Sequence, residues 1–183
     1  MGIHYDYKSN KGNKLMEKTV EYIDNRSITI ADGKRGDIGN SSRMYAKSIF
    51  NQIGFDSATV SPYMGMDSVT PFLEDDSFGA FVLCLTSNPG SNDFQKKTYK
   101  NEPLFIDVLN KLKDLDNRNV GIVVGATQEE DMRLLRKSAP QMTWLIPGIG
   151  KQGGNLDLSV NDIEGLAKFA QEKNCFTIVG PED

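Results

Sequence analysis

The sequence predicts an α/β fold with a parallel sheet, and three observations carry that prediction. Short runs of β-branched and apolar residues recur at 27–32, 57–63, 78–86, 120–124, 143–146 and 175–179, each of strand length and bounded by turn residues. Stretches of helical period separate them, so strand and helix alternate along the chain. The runs at 78–86 and 120–124 are apolar throughout, as strands buried on both faces are. Parallel strands joined by helical crossovers can make an open doubly wound sheet or a closed eight-stranded barrel. On pattern alone the open sheet is favoured, because about six strands are visible and a β/α barrel takes ~250 residues.

Each element has its own signal. Residues 1–13 are polar and without period, so a loose lead is expected there. Leu15, Val20 and Ile23 then mark a short amphipathic helix over 14–23. After the first strand, a Gly-Asn turn leads to Ser41 and Ser42, which are suitable N-caps for a helix carrying Met44, Ala46, Ile49 and Phe50 and ending at Gly54. Pro62 closes the second strand, and Asp67 caps a helix through Phe72. A polar loop over 87–101 follows the third strand, and Pro103 opens a helix with Leu104, Ile106, Val108, Leu109 and Leu112. Residues 129–137 read as the next helix, 147–154 as a glycine-rich loop, and Asn161 opens a last helix to Glu172. No repeat or linker interrupts the series, so one domain over 1–183 is expected.

Bulk properties remove several classes of function. The formal net charge of −4 gives no electrostatic case for nucleic acid or an anionic membrane. No apolar run is long enough to span a bilayer, and residues 1–10 lack a signal-peptide pattern. Cys84 and Cys175 sit in apolar runs and read as buried free thiols of a reducing, cytoplasmic compartment. His4 is the single histidine, which removes a Ser-His-Asp triad and any multi-histidine metal site.

The chemistry-bearing residues gather where a parallel fold places ligands, beyond the carboxyl ends of the strands. Asp32 and Lys34 are two apart in a strand-like run and so share a face, with Asp37 just beyond in the loop. The same residue types also fit a solvated strand end with a surface ion pair. Arg35-Gly36-Asp37 has the form of an adhesion tripeptide, but nothing else points outside the cell. Gly148-Ile-Gly-Lys-Gln-Gly153 matches G-x-G-x-x-G. It lies late in the chain with no acidic residue closing the next strand, so it reads better as a phosphate cradle, in which Gly150 and Gly153 open the backbone to an anion, than as a dinucleotide fingerprint. Ser87-Asn-Pro-Gly90 reads by itself as an ordinary turn.

The run Asp-Gly-Lys-Arg-Gly-Asp-Ile-Gly-Asn at 32–40 resembles the active-site strand of the orotidine 5′-phosphate decarboxylases, in their longer bacterial and protozoan branch. Three later segments are similar to the same family in the same order: Thr-Val-Ser-Pro-Tyr-Met-Gly at 59–65, Cys-Leu-Thr-Ser-Asn-Pro-Gly at 84–90 and Leu-Ile-Pro-Gly-Ile-Gly-Lys-Gln-Gly-Gly at 145–154. The resemblance runs from about Lys14 to Gly180 and implies a (β/α)8 TIM barrel. The strands visible here match its third through eighth, so the barrel is incomplete in this chain.

The activity implied is decarboxylation of orotidine 5′-phosphate to UMP without cofactor or metal. Asp32 would crowd the substrate carboxylate, and Lys34 would stabilise and protonate the carbanion at C6. Asp37 would cross a homodimer interface into the partner's site, with Ser41 a hydroxyl position beside it. Ser87 would hydrogen-bond the pyrimidine ring, and Gln152 would span phosphate and base. The phosphorylated pyrimidine is thus the implied ligand. The chain departs from the family in three places. The first-strand aspartate has no counterpart. The second-strand lysine is matched only by Tyr7-Lys8-Ser9-Asn10, which stands too near Asp32. Pro181 follows Val179-Gly180 where the family has a phosphate-binding arginine. Two alternatives stay open: a non-catalytic homologue that at most binds a phosphorylated pyrimidine, and a magnesium-dependent sugar-phosphate decarboxylase or synthase.

Overall fold

A computed structural model describes residues 10–24, 26–115 and 118–148. The helix expected to open at Asn161, the strand at 175–179 and Cys175 lie outside the described residues. Helix α1 (Asn10–Ile23) comes first. It starts inside the stretch expected to be loose, because polar residues and a glycine can extend a helix without adding to the apolar period. Met16 and Val20 pack it onto the core, while Leu15, expected on that face, is half exposed.

Strand β1 (Ile30–Arg35) follows and is locked to β2 (Ser57–Val60) below the sheet. There the Asp56 carboxylate accepts hydrogen bonds from the Thr29 N–H and hydroxyl, both at 2.7 Å. Between them α2 (Gly39–Ala46) continues as a π-helical segment, Lys47–Ile53, which Gly54 ends at φ +92°, a conformation that glycine adopts without a Cβ penalty. The serine caps expected at 41 and 42 are displaced. Helix α2 begins at Gly39 with Ile38 as its N-cap, so both serines lie in its first turn. Ser42 donates instead to the Asp37 carbonyl at 2.8 Å. The helix expected over 67–72 is two 3-10 turns, Met66–Ser68 and Thr70–Phe72, because Pro71 withholds the N–H that an α-helix needs.

Strand β3 (Gly79–Leu85) leads into a connection that carries structure where a plain loop was expected. It holds a 3-10 turn, Pro89–Asp93, and the small hairpin β4 (Thr98–Tyr99) and β5 (Glu102–Pro103). Helix α3 (Leu104–Lys113), strand β6 (Val120–Val124), helix α4 (Glu129–Ser138) and strand β7 (Thr143–Leu145) complete the described chain.

Among the described residues a five-stranded sheet runs β1-β2-β3-β6-β7, every pair parallel. Each strand lies beside its predecessor, apart from the excursion through the hairpin. A doubly wound sheet reverses its strand order at a switch point; among the described residues this one does not, so the winding is that of a β/α barrel and the open sheet favoured by pattern alone is set aside. Ala80, Val82 and Cys84 of β3 are buried, and Cys84 reaches the Phe105 carbonyl of α3, which marks their face as the helix side. The alternating Phe81 and Leu83 are only half-buried, so β3 is not covered on both faces as expected. Leu109, Leu112 and Leu135 are fully buried between helices and sheet, where truncation to alanine costs about 2–5 kcal/mol.

Candidate active site at the strand ends

The charged cluster forms where β1 breaks its register. Ile30 pairs with Ser57 and Ala31 with Ala58, but the next partner pair is Arg35 with Val60. The intervening residues bulge, and Lys34 takes φ +45°. This left-handed turn of the backbone is unfavourable for a residue with a Cβ. Lys34 Nζ lies 2.7 Å from Asp32 Oδ1, so the two residues meet as expected, at a bulge rather than on a regular strand face.

The neighbouring strand supplies a group that the residue pattern did not single out. The Thr59 hydroxyl donates to Asp32 Oδ1 at 2.8 Å and accepts the Lys34 N–H at 2.9 Å. A signal existed: continuing the Ile30–Ser57 register by two residues sets Asp32 opposite Thr59. Partial burial pushes the Asp32 carboxyl up, but the hydrogen bonds from Lys34 and Thr59 and the lysine charge outweigh it. The net result lies below the ordinary 3.8. Asp32 is therefore an anion at neutral pH, and both of these side-chain hydrogen bonds fall on its Oδ1.

Asp37 stands apart from this pair. Its Oδ1 accepts the Ile38 N–H at 2.8 Å, and the residue is half-buried at the start of α2. Ser41 lies one turn along the same helix, also half-buried. Ser87 follows β3 at the same end of the sheet and packs against Gly125, where an added Cβ would stand 2.5 Å from the Ser87 nitrogen. Gln95, another residue that sequence reasoning passed over, accepts the Thr86 N–H at 2.7 Å, and Gln128 donates to the Thr86 carbonyl at 3.1 Å. The Ser87 turn is thus held by side chains from two other segments. Gly150, Gln152 and Gly153 lie outside the described residues; the loop that bears them leaves β7 through Pro147, whose carbonyl accepts the Ala126 N–H.

Among the described residues no three His, Cys, Asp or Glu side chains gather as a metal site, and no helix is long and apolar enough to cross a membrane. Cys84 is a buried free thiol, as expected, and desolvation pushes it up to about 12. A cleft of about 220 Å³ between α1 and the amino end of β1, lined in part by Asp24, Thr29 and Asp56, lies at the opposite end of β1 from the charged pair.

Parallel strands in sequential order, with a lysine–aspartate pair beyond their carboxyl ends, define a β/α-barrel protein of the kind that holds its ligand at that face. The family model of orotidine 5′-phosphate decarboxylase / HUMPS matches residues 2–180, and the chain belongs to that family. It is 47% identical over 163 residues to an orotidine 5′-phosphate decarboxylase of Dehalococcoides mccartyi, covering 86% of this chain and 60% of the relative. It is 45% identical over 180 residues to the Phocaeicola vulgatus enzyme of the same name, covering 96% and 64%. The solved UMP synthase of Leishmania donovani superposes with a TM-score of 0.79 at 36% identity, over 84% of this chain and 35% of that one. The chain therefore spans 60–64% of the length of the two curated relatives.

Proposed function

We propose that this chain carries out the decarboxylation of orotidine 5′-phosphate to UMP, the closing step of pyrimidine nucleotide synthesis, in the cytoplasm. The observation that carries the reading is the Lys34 ammonium held 2.7 Å from the Asp32 carboxylate at the strand ends, within a chain whose relatives bear that activity in their names. Asp32, kept anionic, crowds the substrate carboxylate and raises the energy of the bound ground state. The C6–carboxylate bond breaks, carbon dioxide leaves, and the electron pair stays on C6. The Lys34 ammonium stabilises that pair and then gives C6 its proton, which combines electrostatic stabilisation with general acid catalysis. No cofactor enters this sequence. Ser87 orients the pyrimidine ring, while Gly150, Gln152 and Gly153 hold the phosphate. Asp37 and Ser41 act across a homodimer interface; the Asp37 carboxylate bonds the Ile38 N–H and not the Asp32–Lys34 pair of its own chain, which supports that assignment.

The test is release of carbon dioxide from orotidine 5′-phosphate, with Lys34→Ala as the control. Turnover that falls by about 10³-fold or more in the variant is expected, since proton donor and charge are lost together. A second reading is favoured by Pro181, which offers neither charge nor donor to a phosphate: the chain binds the nucleotide without turning it over. Binding of UMP without carbon dioxide release would decide for that second reading.

A further inference from the structure

We infer that Thr59 is the positioning residue for the Asp32–Lys34 pair, through one hydroxyl that bonds to both partners. The inference rests on the functional reading above for its catalytic consequence and on geometry alone for the rest. The β1 bulge takes the Lys34 N–H out of regular register with β2. An unpaired backbone donor beside a buried strand is costly, and the Thr59 Oγ1 accepts it at 2.9 Å. A hydroxyl that accepts one hydrogen bond still has its own proton to give. Thr59 gives that proton to Asp32 Oδ1 at 2.8 Å, the same oxygen that Lys34 Nζ contacts at 2.7 Å.

The two bonds do different things. The first holds the Lys34 backbone at φ +45°, the turn from which its side chain meets Asp32. The second fixes the carboxylate by Oδ1. Thr59 is 1% exposed, on the face of β2 that alternates with the core positions Ala58 and Val60. Its rotamer is therefore set by packing, and its hydroxyl does not turn to water instead. Valine has nearly the shape of threonine but can neither donate nor accept. Serine keeps both bonds and loses only a methyl group. The Asp32 carboxyl is held below its ordinary value partly by this hydroxyl, and Lys34 is the one charged side chain that bonds to it among the described residues.

The experiment compares the chain as it stands with Thr59→Val and Thr59→Ser. The Asp32 side-chain carboxyl carbon is followed by NMR against pH, and turnover of orotidine 5′-phosphate is measured in parallel. In Thr59→Val the Asp32 midpoint should rise by about 1 pH unit, and kcat should fall by about 10–100-fold with KM little changed. Thr59→Ser should restore both. An Asp32 midpoint in Thr59→Val equal to that of the unaltered chain would overturn the inference, as would a serine variant that behaves like valine. If the unaltered chain releases no carbon dioxide, the functional reading fails on its own, and the titration still decides the role of Thr59.

Discussion

At the scale of single residues, the pH behaviour of the site follows from Asp32. Its carboxyl lies below the ordinary 3.8 in the folded chain because Lys34 and Thr59 bond to the anion against the cost of burial. A depressed folded value contributes stability that is present above the unfolded value and is lost as pH falls through the folded one. The urea midpoint of the unaltered chain should therefore exceed that of Asp32→Asn by a constant amount above pH 3.8, and the gap should close at lower pH. A gap that stays constant down to the acid unfolding limit would show that the pair does not stabilise the fold. Half of each side chain meets solvent, so the gap should be small and should narrow in salt.

At the scale of elements, the site is assembled by strand ends that approach unusually closely. Gly125 closes β6 with its N–H on the Leu85 carbonyl at 2.7 Å, and its α-carbon faces the Ser87 backbone with no room for a side chain. Backbone cannot swing aside as a long side chain can, so Gly125→Ala must separate the ends of β3 and β6. A loss of about 1–3 kcal/mol in a denaturant melt is expected. On the proposed reading, in which Ser87 orients the ring, KM for orotidine 5′-phosphate should rise more than kcat falls. Unchanged stability would mean that the two strand ends are not in contact in solution. At the other end of the sheet, the reciprocal Thr29–Asp56 bonds fix where β1 and β2 start, and hence the register from which the bulge departs.

At the scale of the whole molecule, the sheet turns one face to its helices and leaves the other partly open among the described residues. Phe81, Leu83 and Leu145 are half-buried on the face that a barrel would close around. Strand β1 pairs on one side only among those residues. A strand with a free edge beside apolar surface is a template for association. The isolated 183-residue chain should therefore form species heavier than a dimer as its concentration rises, read by sedimentation velocity. A single sharp boundary across the concentration range, with a cooperative melt, would count against this prediction. The family's barrel has more strands than the five described, and this face is where they would add apolar contacts.

The sequence alone determined the alternation of strand and helix, because hydrophobic period is a local property: Val120 to Val124 could be read as a strand without knowing its neighbours. It also predicted that Asp32 and Lys34 come together, from their two-residue spacing, although the structure brings them together at a bulge rather than on a regular strand face. It carried the family through four ordered motifs. What it left open was decided by contacts distant in the chain. Ser41 and Ser42 look like caps, yet α2 starts earlier, at Gly39, where it packs against the 3-10 turns that follow β2. An apolar run cannot reveal which strand lies beside it, so the sequential sheet order, which separates a barrel from a doubly wound sheet, emerged only on folding. Thr59 gave no signal as a residue type; it matters because the β1 bulge frees a backbone N–H beside it, and a bulge is a property of two strands paired together.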